Sequence, residues 1–254
     1  MLIKTFLFLN LILISSCNVA SLITDAETDL GDNFELDVRE GLLVFWRFNE
    51  GQNQDKVDSQ NGVVLNDTSS TGFIMQSGIS GGAPDCSSNS SGSGFFETGS
   101  FPYGIDASNS NYNISFWMQH YVSASATVTT IMENPGNNIS FTQLIAPDRL
   151  DMQFTIGSGS MTISGLIDAN DFSNWVHLSF NIFASGNMDV YKNGNFFGSY
   201  ALNATSSTST TFILCSGTSG TSGFNGLIDS FGIWERDLDS REIKALYSGN
   251  NNVD

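Results

Sequence analysis

The chain has 254 residues, with 26 acidic and 9 basic side chains, so its formal net charge is −17 and its pI lies near 4.1. That balance excludes nucleic acid as a partner, because neutralising phosphates takes clustered Lys and Arg. Only 14% of residues are charged, and Gly, Ser, Asn and Thr crowd the gaps between apolar runs, a pattern that suits an all-β protein with one large core and many polar turns.

At the N-terminus Lys4 precedes an apolar run from Phe6 to Ile14. The run is too short to span a bilayer, and Ser15-Ser16-Cys17 follows where a signal peptidase would cut, so residues 1–17 read as a signal peptide. The order Ile14-Ser15-Ser16-Cys17 resembles the lipobox of bacterial lipoproteins. That resemblance implies lipidation of Cys17, export across the inner membrane, and a place in the periplasm or at the cell surface, with a lipid anchor as the only membrane contact. The alternative is an ordinary secretory signal cut near Cys17 or Ala20 and an extracellular protein, for which the sequons at Asn66, Asn89, Asn113, Asn138 and Asn203 would suit glycosylation. If Cys17 carries lipid, Cys86 and Cys215 remain as an even pair in an oxidising compartment where a disulfide persists; otherwise they are separate thiols. Residues 18–40, acidic from Asp25 to Glu40 with Arg39 as the lone base, read as a solvated tether.

From Gly41 onward the hydrophobic period is two. Met152, Phe154 and Ile156 alternate with Gln153 and Thr155, and Val176, Leu178, Phe180 and Ile182 alternate with His177, Ser179 and Asn181, which predicts half-buried strands. Further strands are predicted over 42–48, 94–97, 113–120, 128–133, 141–145, 161–164 and 211–214. Asn193-Gly194 between Met188–Lys192 and Asn195–Tyr200 predicts a hairpin, because Asn-Gly accepts the positive φ angles of a type I′ turn. The Gly/Ser-rich stretch 77–94 reads as a long surface loop. A short helix is predicted over 238–247, where Asp239-Ser240-Arg241-Glu242 has the form of a capping box and Gly249 offers a stop.

The segment Phe224 to Trp234 sets a carboxylate, Asp229, inside an apolar strand. Strict alternation places Asp229 on the face of Leu227, Phe231 and Ile233. A buried ionised carboxylate is costly, so Asp229 needs donors, a cation, or a different facing.

In order, Leu43-Val44-Phe45-Trp46-Arg47-Phe48-Asn49-Glu50-Gly51, Asp58-Ser59-Gln60-Asn61-Gly62, Ile114-Ser115-Phe116-Trp117, Trp175-Val176-His177-Leu178, Val190-Tyr191-Lys192-Asn193-Gly194, and 224–234 with Glu242 to Tyr247 resemble laminin G-like domains of the concanavalin A-like lectin/glucanase superfamily. The resemblance covers nearly all of a domain at 41–249, leaving 250–254 as a tail. It implies a jelly-roll sandwich of two antiparallel sheets with one short C-terminal helix, and a glycan or a surface protein as partner. It also implies a calcium ion shared by Asp58 and Asp229, with Asn49 and Asn61 able to add oxygens. The alternative at Asp229 is a set of hydrogen bonds from turn amides near Ser59 to Gly62.

Trp46, Trp117, Trp175 and Trp234 lie in strand motifs and are expected in the core. Phe101, Tyr103, Tyr112 and Tyr121 lie in or beside polar loops, and 99–112 combines aromatic rings with Asn and Asp. That makes Tyr103, Asn109 and Tyr112 the candidate ligand-binding residues. The strand motif Glu-x-Asp-x-x-Glu of jelly-roll glycoside hydrolases is missing, and His120 and His177 lack a nucleophile or metal-ligand pattern. The expectation is a binding module without catalysis; a protein-adhesion module, a divergent glycoside hydrolase or a polysaccharide lyase are the alternatives.

Overall fold

Two antiparallel sheets face each other across one apolar core. The computed structural model describes residues 36–49, 56–58, 62–68, 74–89, 96–98, 106–121, 128–134, 139–146, 149–156, 159–202, 211–216, 223–249 and 251–252. The chain divides into two units, Met1–Leu36 and Asp37–Asp254, and the second carries the sandwich. The signal peptide, Cys17 and most of the acidic tether lie outside the described residues, as do Phe101 and Tyr103.

The strands are β1 (Leu36–Asp37), β2 (Leu42–Trp46), β3 (Lys56–Asp58), β4 (Val64–Asp67), β5 (Ile74–Ser77), β6 (Gly82–Asp85), β7 (Phe96–Thr98), β8 (Tyr112–His120) and β9 (Val128–Asn134). They continue as β10 (Ile139–Ala146), β11 (Arg149–Ile156), β12 (Gly159–Asp168), β13 (Trp175–Ile182), β14 (Asn187–Lys192), β15 (Asn195–Ala201), β16 (Ile213–Leu214) and β17 (Gly226–Trp234). One helix, α1 (Ser240–Ser248), and β18 (Asn251–Asn252) close the chain. The first sheet runs β12-β11-β10-β9-β16-β7-β4-β3; the second runs β15-β14-β13-β8-β17-β6-β5, with β2 also paired to β17. All these pairings are antiparallel, so the all-β sandwich expected from the sequence is the observed fold.

Alternation fills the core as anticipated. Ile114, Phe116 and Met118 of β8, and Val176, Leu178, Phe180 and Ile182 of β13, point inward against Met152 and Phe154 of β11. Phe154 meets Phe180 at 4.8 Å between ring centroids, and Phe116 stacks on Phe231 at 5.4 Å. Such pairs add about 1 kcal/mol each beyond their burial. Trp46 and Trp234 are fully buried, each donating its indole N–H to a carbonyl, Val63 O at 3.0 Å and Val38 O at 2.7 Å. The β14–β15 hairpin turns at Asn193 and Gly194 with φ of 51° and 74°, as Asn-Gly predicts.

The structure differs from the sequence reading in several places. The stretch 77–94 holds β6 and a 3₁₀ turn over Cys86–Asn89, with Ala83 and Cys86 buried, because this segment pairs with β5 and β17. The ordered domain begins before Gly41: Val38 is fully buried, and Arg236 donates to Glu40 O at 2.7 Å. Strand β13 is buried on both faces, because α1 and the segment before it cover the outer one. The sequon at Asn113 is fully buried, its amide donating to Ser179 Oγ at 2.8 Å and Asn181 Oδ1 at 2.7 Å, so the folded chain does not present it. Cys86 and Cys215 form a disulfide with Cα atoms 5.3 Å apart, tying the end of β6 in one sheet to the end of β16 in the other.

Candidate ligand-binding cleft

A backbone bulge in β17 resolves the placement of Asp229. Register slips between Asp229, which faces Trp117 across the ladder, and Gly232, which faces Ser115; Ser230, between them, has φ of 49°. One extra residue reverses the phase of a period-two strand. Phe231 and Ile233 therefore join Ile228 in the core, while Asp229 faces away from them, contrary to strict alternation. The bulge sits where the neighbour of β17 changes: β6 pairs at Leu227, and β2 pairs from Phe231 to Trp234.

At that fork the Asp229 carboxylate, 0% exposed, meets the turn between β5 and β6. Its Oδ2 accepts from the amides of Ile79 at 2.6 Å and Ser80 at 3.1 Å, and Oδ1 accepts from Ser230 Oγ at 3.2 Å. Burial pushes its pKa up to about 6, against the opposing pull of those donors. Among the described residues the amides come from residues 79–80; Ser59 to Asn61 of the expected stretch lie outside the described residues. The backbone of Asp58 ends β3 at the edge of the opposite sheet, and its side chain lies outside the described residues. Two amide protons aimed at one carboxylate oxygen leave little room for a cation there, and among the described residues no three His, Cys, Asp or Glu side chains gather as a metal site. Among the described residues, what holds Asp229 is a carboxylate–amide tie.

On the outer face of the same sheet, between the strands and the end of α1, lies a cleft of about 550 Å³. Ser115, Trp117 and His177 form its floor, Phe45, Arg47, Ile79, Ser80 and Ser230 one side, and the helix end from Leu246 to Gly249 the other. Helix α1 is fixed by both of its ends. Asp239 caps it, accepting from Arg241 N and Glu242 N while Glu242 reaches back to Asp239 N at 2.8 Å, and Gly249 ends it with φ of 76°. Asn181 on β13 receives the backbone of Leu238 on both groups, donating to its carbonyl at 2.8 Å and accepting from its amide at 3.0 Å, which docks the helix entry on the sheet.

This docking brings Tyr247, 39% exposed, onto Trp117 with ring centroids 5.4 Å apart and an interplanar angle of 21°. Arg47 lies 5.7 Å above the ring of Phe45, and among the described residues it is the only Lys, Arg, Asp or Glu in the lining. His177 is nearly fully buried beneath them, its Nε2 2.9 Å from Ser115 Oγ. Burial holds its pKa down to about 3, so the ring is neutral across the physiological range. Among the described residues no carboxylate bonds its Nδ1.

Two of the sequence-predicted ligand residues, Tyr112 and Asn109, do not line this cleft. Tyr112 is 1% exposed in the core, and its hydroxyl accepts from Asp106 N at 3.1 Å, so it offers no face to a ligand. Asn109 is exposed but donates to Asp106 Oδ2 at 2.6 Å in a local turn away from the cleft lining. Tyr103 lies outside the described residues. Phe45, Arg47, Ile79, Ser80, Ser115 and Tyr247 were missed. The alternation that sends Val44 and Trp46 inward sends Phe45 and Arg47 outward, and this was the available signal for two of them.

A model of the laminin G type, described as concanavalin A-like lectin/glucanases superfamily, matches residues 90–244. The chain belongs to this superfamily. No curated protein matches. Among solved structures, the chain is similar to the binding domain of Paraclostridial Mosquitocidal Protein 1 at 18% identity and a TM-score of 0.60, covering 82% of this chain and 52% of that one. It is also similar to the receptor binding domain of botulinum neurotoxin C/D mosaic serotype, at 13% identity and a TM-score of 0.58, covering 82% and 51%. Domain 4 of AbnA, an extracellular arabinanase from Geobacillus stearothermophilus, in complex with arabinotriose, matches at 17% identity and a TM-score of 0.59, covering 82% of this chain and 99% of that domain. This laminin G-like chain spans about half the length of the toxin binding domains and nearly the whole of the arabinanase domain. At these identities the likeness establishes the jelly roll, and the neighbours are receptor- or carbohydrate-binding domains.

Proposed function

We propose that this laminin G-like domain is a carbohydrate-binding module without catalytic activity, exported and held at a cell surface, and that it takes its ligand in the cleft beside α1. The observation that carries the reading is the cleft itself. Its volume suits a short oligosaccharide, the Trp117–Tyr247 stack offers an aromatic plane to the apolar face of a sugar ring, and Ser80, Ser230, Ser248 and Arg47 supply hydrogen-bonding groups around it. The arabinotriose complex of the arabinanase domain supports the ligand class by analogy of fold. Isothermal titration with a panel of neutral and acidic trisaccharides, arabinotriose included, tests it. The expected result is binding by at least one sugar and a loss of roughly tenfold or more in Tyr247→Ala, with the variant still folded and its stability lowered only by the lost Trp117 stack, about 1 kcal/mol. Absence of binding across the panel would sink the lectin reading.

A second reading, a protein-interaction module, draws on Phe196 and Phe197, which are 59% and 40% exposed on β15, the outermost strand of its sheet. In that case Phe196→Ser would abolish partner capture while leaving sugar binding untouched.

A further inference from the structure

The turn between β5 and β6 is clamped from both sides. Asp229 accepts from the amides of Ile79 and Ser80. The Asn49 amide, oriented with its nitrogen toward the neighbouring carbonyls, donates to Ser80 O and to Arg47 O at 3.3 Å. Gly78 N closes the turn on Gly81 O at 2.8 Å. The clamp leaves no space for side chains behind the turn: a Cβ on Gly78 would run into Asp229 Oδ2, and one on Gly81, whose φ is +91°, would run into the Asn49 amide. Yet the residue at the tip, Ile79, is 46% exposed and lines the mouth of the cleft. Burying a carboxylate and committing its acceptors to two backbone amides is a costly way to secure an ordinary surface turn. It is a physically sensible way to fix an apolar contact before a ligand arrives, since a wall already ordered loses little entropy on binding.

We infer that Asp229 is a positioning residue: through the amides of Ile79 and Ser80 it holds Ile79 as a preformed apolar wall of the cleft, and Ile79 touches the ligand. The inference rests on the cleft being the sugar site. Asp229 itself is absent from the lining and acts only through the turn. Asp229→Ala orphans both amides and frees the turn, whereas Asp229→Asn keeps an oxygen that can accept from them.

The test uses the mature chain and the tightest-binding trisaccharide from the panel above. Ile79→Ser is expected to weaken binding roughly tenfold with an unchanged melting temperature, and Asp229→Ala to weaken it by a similar factor, with Asp229→Asn recovering most of the loss. The double variant Ile79→Ser with Asp229→Ala binds no more weakly than the worse single variant, because both remove the same contact. Wild-type affinity in Ile79→Ser, additive losses in the double variant, or failure of Asp229→Asn to recover binding would overturn the inference. If Tyr247→Ala abolishes binding while both Ile79→Ser and Asp229→Ala bind normally, the cleft stands and only the wall falls. If Tyr247→Ala binds normally as well, the cleft reading falls with it.

Discussion

Replacing Asp229 by Asn removes one buried titrating proton while nearly preserving shape, and the consequence depends on pH. In the folded chain burial raises the carboxyl pKa from 3.8 to about 6. The folded state therefore holds this proton more tightly than the unfolded state. The stability contributed by protonated Asp229 is complete below about pH 3.8 and is lost as pH rises through about 6. With 1.36 kcal/mol for each tenfold change in proton affinity, the wild type loses about 2.5 kcal/mol from this group between pH 4 and pH 7. Asn has nothing to lose, and every other carboxylate is common to both proteins and cancels in their difference. Urea unfolding at half-unit steps from pH 4 to 7.5 in EDTA gives that difference. The stability of Asp229→Asn relative to wild type should rise by about 2.5 kcal/mol across this range. A flat difference would refute a buried titrating carboxylate. Repeating the series in millimolar calcium also tests the ion implied by the family resemblance. A bound cation would favour the ionised form and make the wild type gain on the variant as pH rises, and a melting temperature lowered by EDTA would accompany it.

Two further predictions concern the disulfide and the N-terminus. Cys86–Cys215 closes a loop spanning 129 positions, for which the chain-entropy model gives about 5 kcal/mol. Cys86→Ala should therefore lower the urea midpoint by about 2 M at a slope near 2.5 kcal/mol per molar, and a shift under a quarter of that would show that the cross-link constrains the unfolded chain little. Cys17, read as a lipidation site, should yield a mature chain whose intact mass carries acyl groups, and Cys17→Ser should release the protein from membranes; an unmodified wild-type mass would refute the lipobox.

Most strands were legible because a strand with one face in the core writes its burial into every second residue, as in β11 and β13. The hairpin at Asn193-Gly194 and the capping box at Asp239 were legible because their geometry is set by two to four adjacent residues. Less visible were β3 to β6, short segments between 56 and 85 whose order comes from pairing with one another and with β7 and β17, and not from any local period. Tyr112, one of the candidate ligand residues, was misplaced for a related reason. A tyrosine beside a polar loop has the same sequence context whether its ring points out or, like Tyr112, inward, and only the opposing sheet decides.

The sequence by itself determined the all-β class, the family and the presence of an anomalous carboxylate at Asp229, because these depend on periodicity and on the order of local motifs. The tertiary structure alone decided what that carboxylate does. A single bulged residue, Ser230, turns it from the core face to the fork between β2 and β6, where the amides of Ile79 and Ser80 arrive from 150 and 149 positions away in sequence. Hydrogen bonds over such separations leave no periodic trace in the chain. Neither does the cleft, which exists because α1 folds back over the outer face of a sheet whose strands are scattered through most of the molecule.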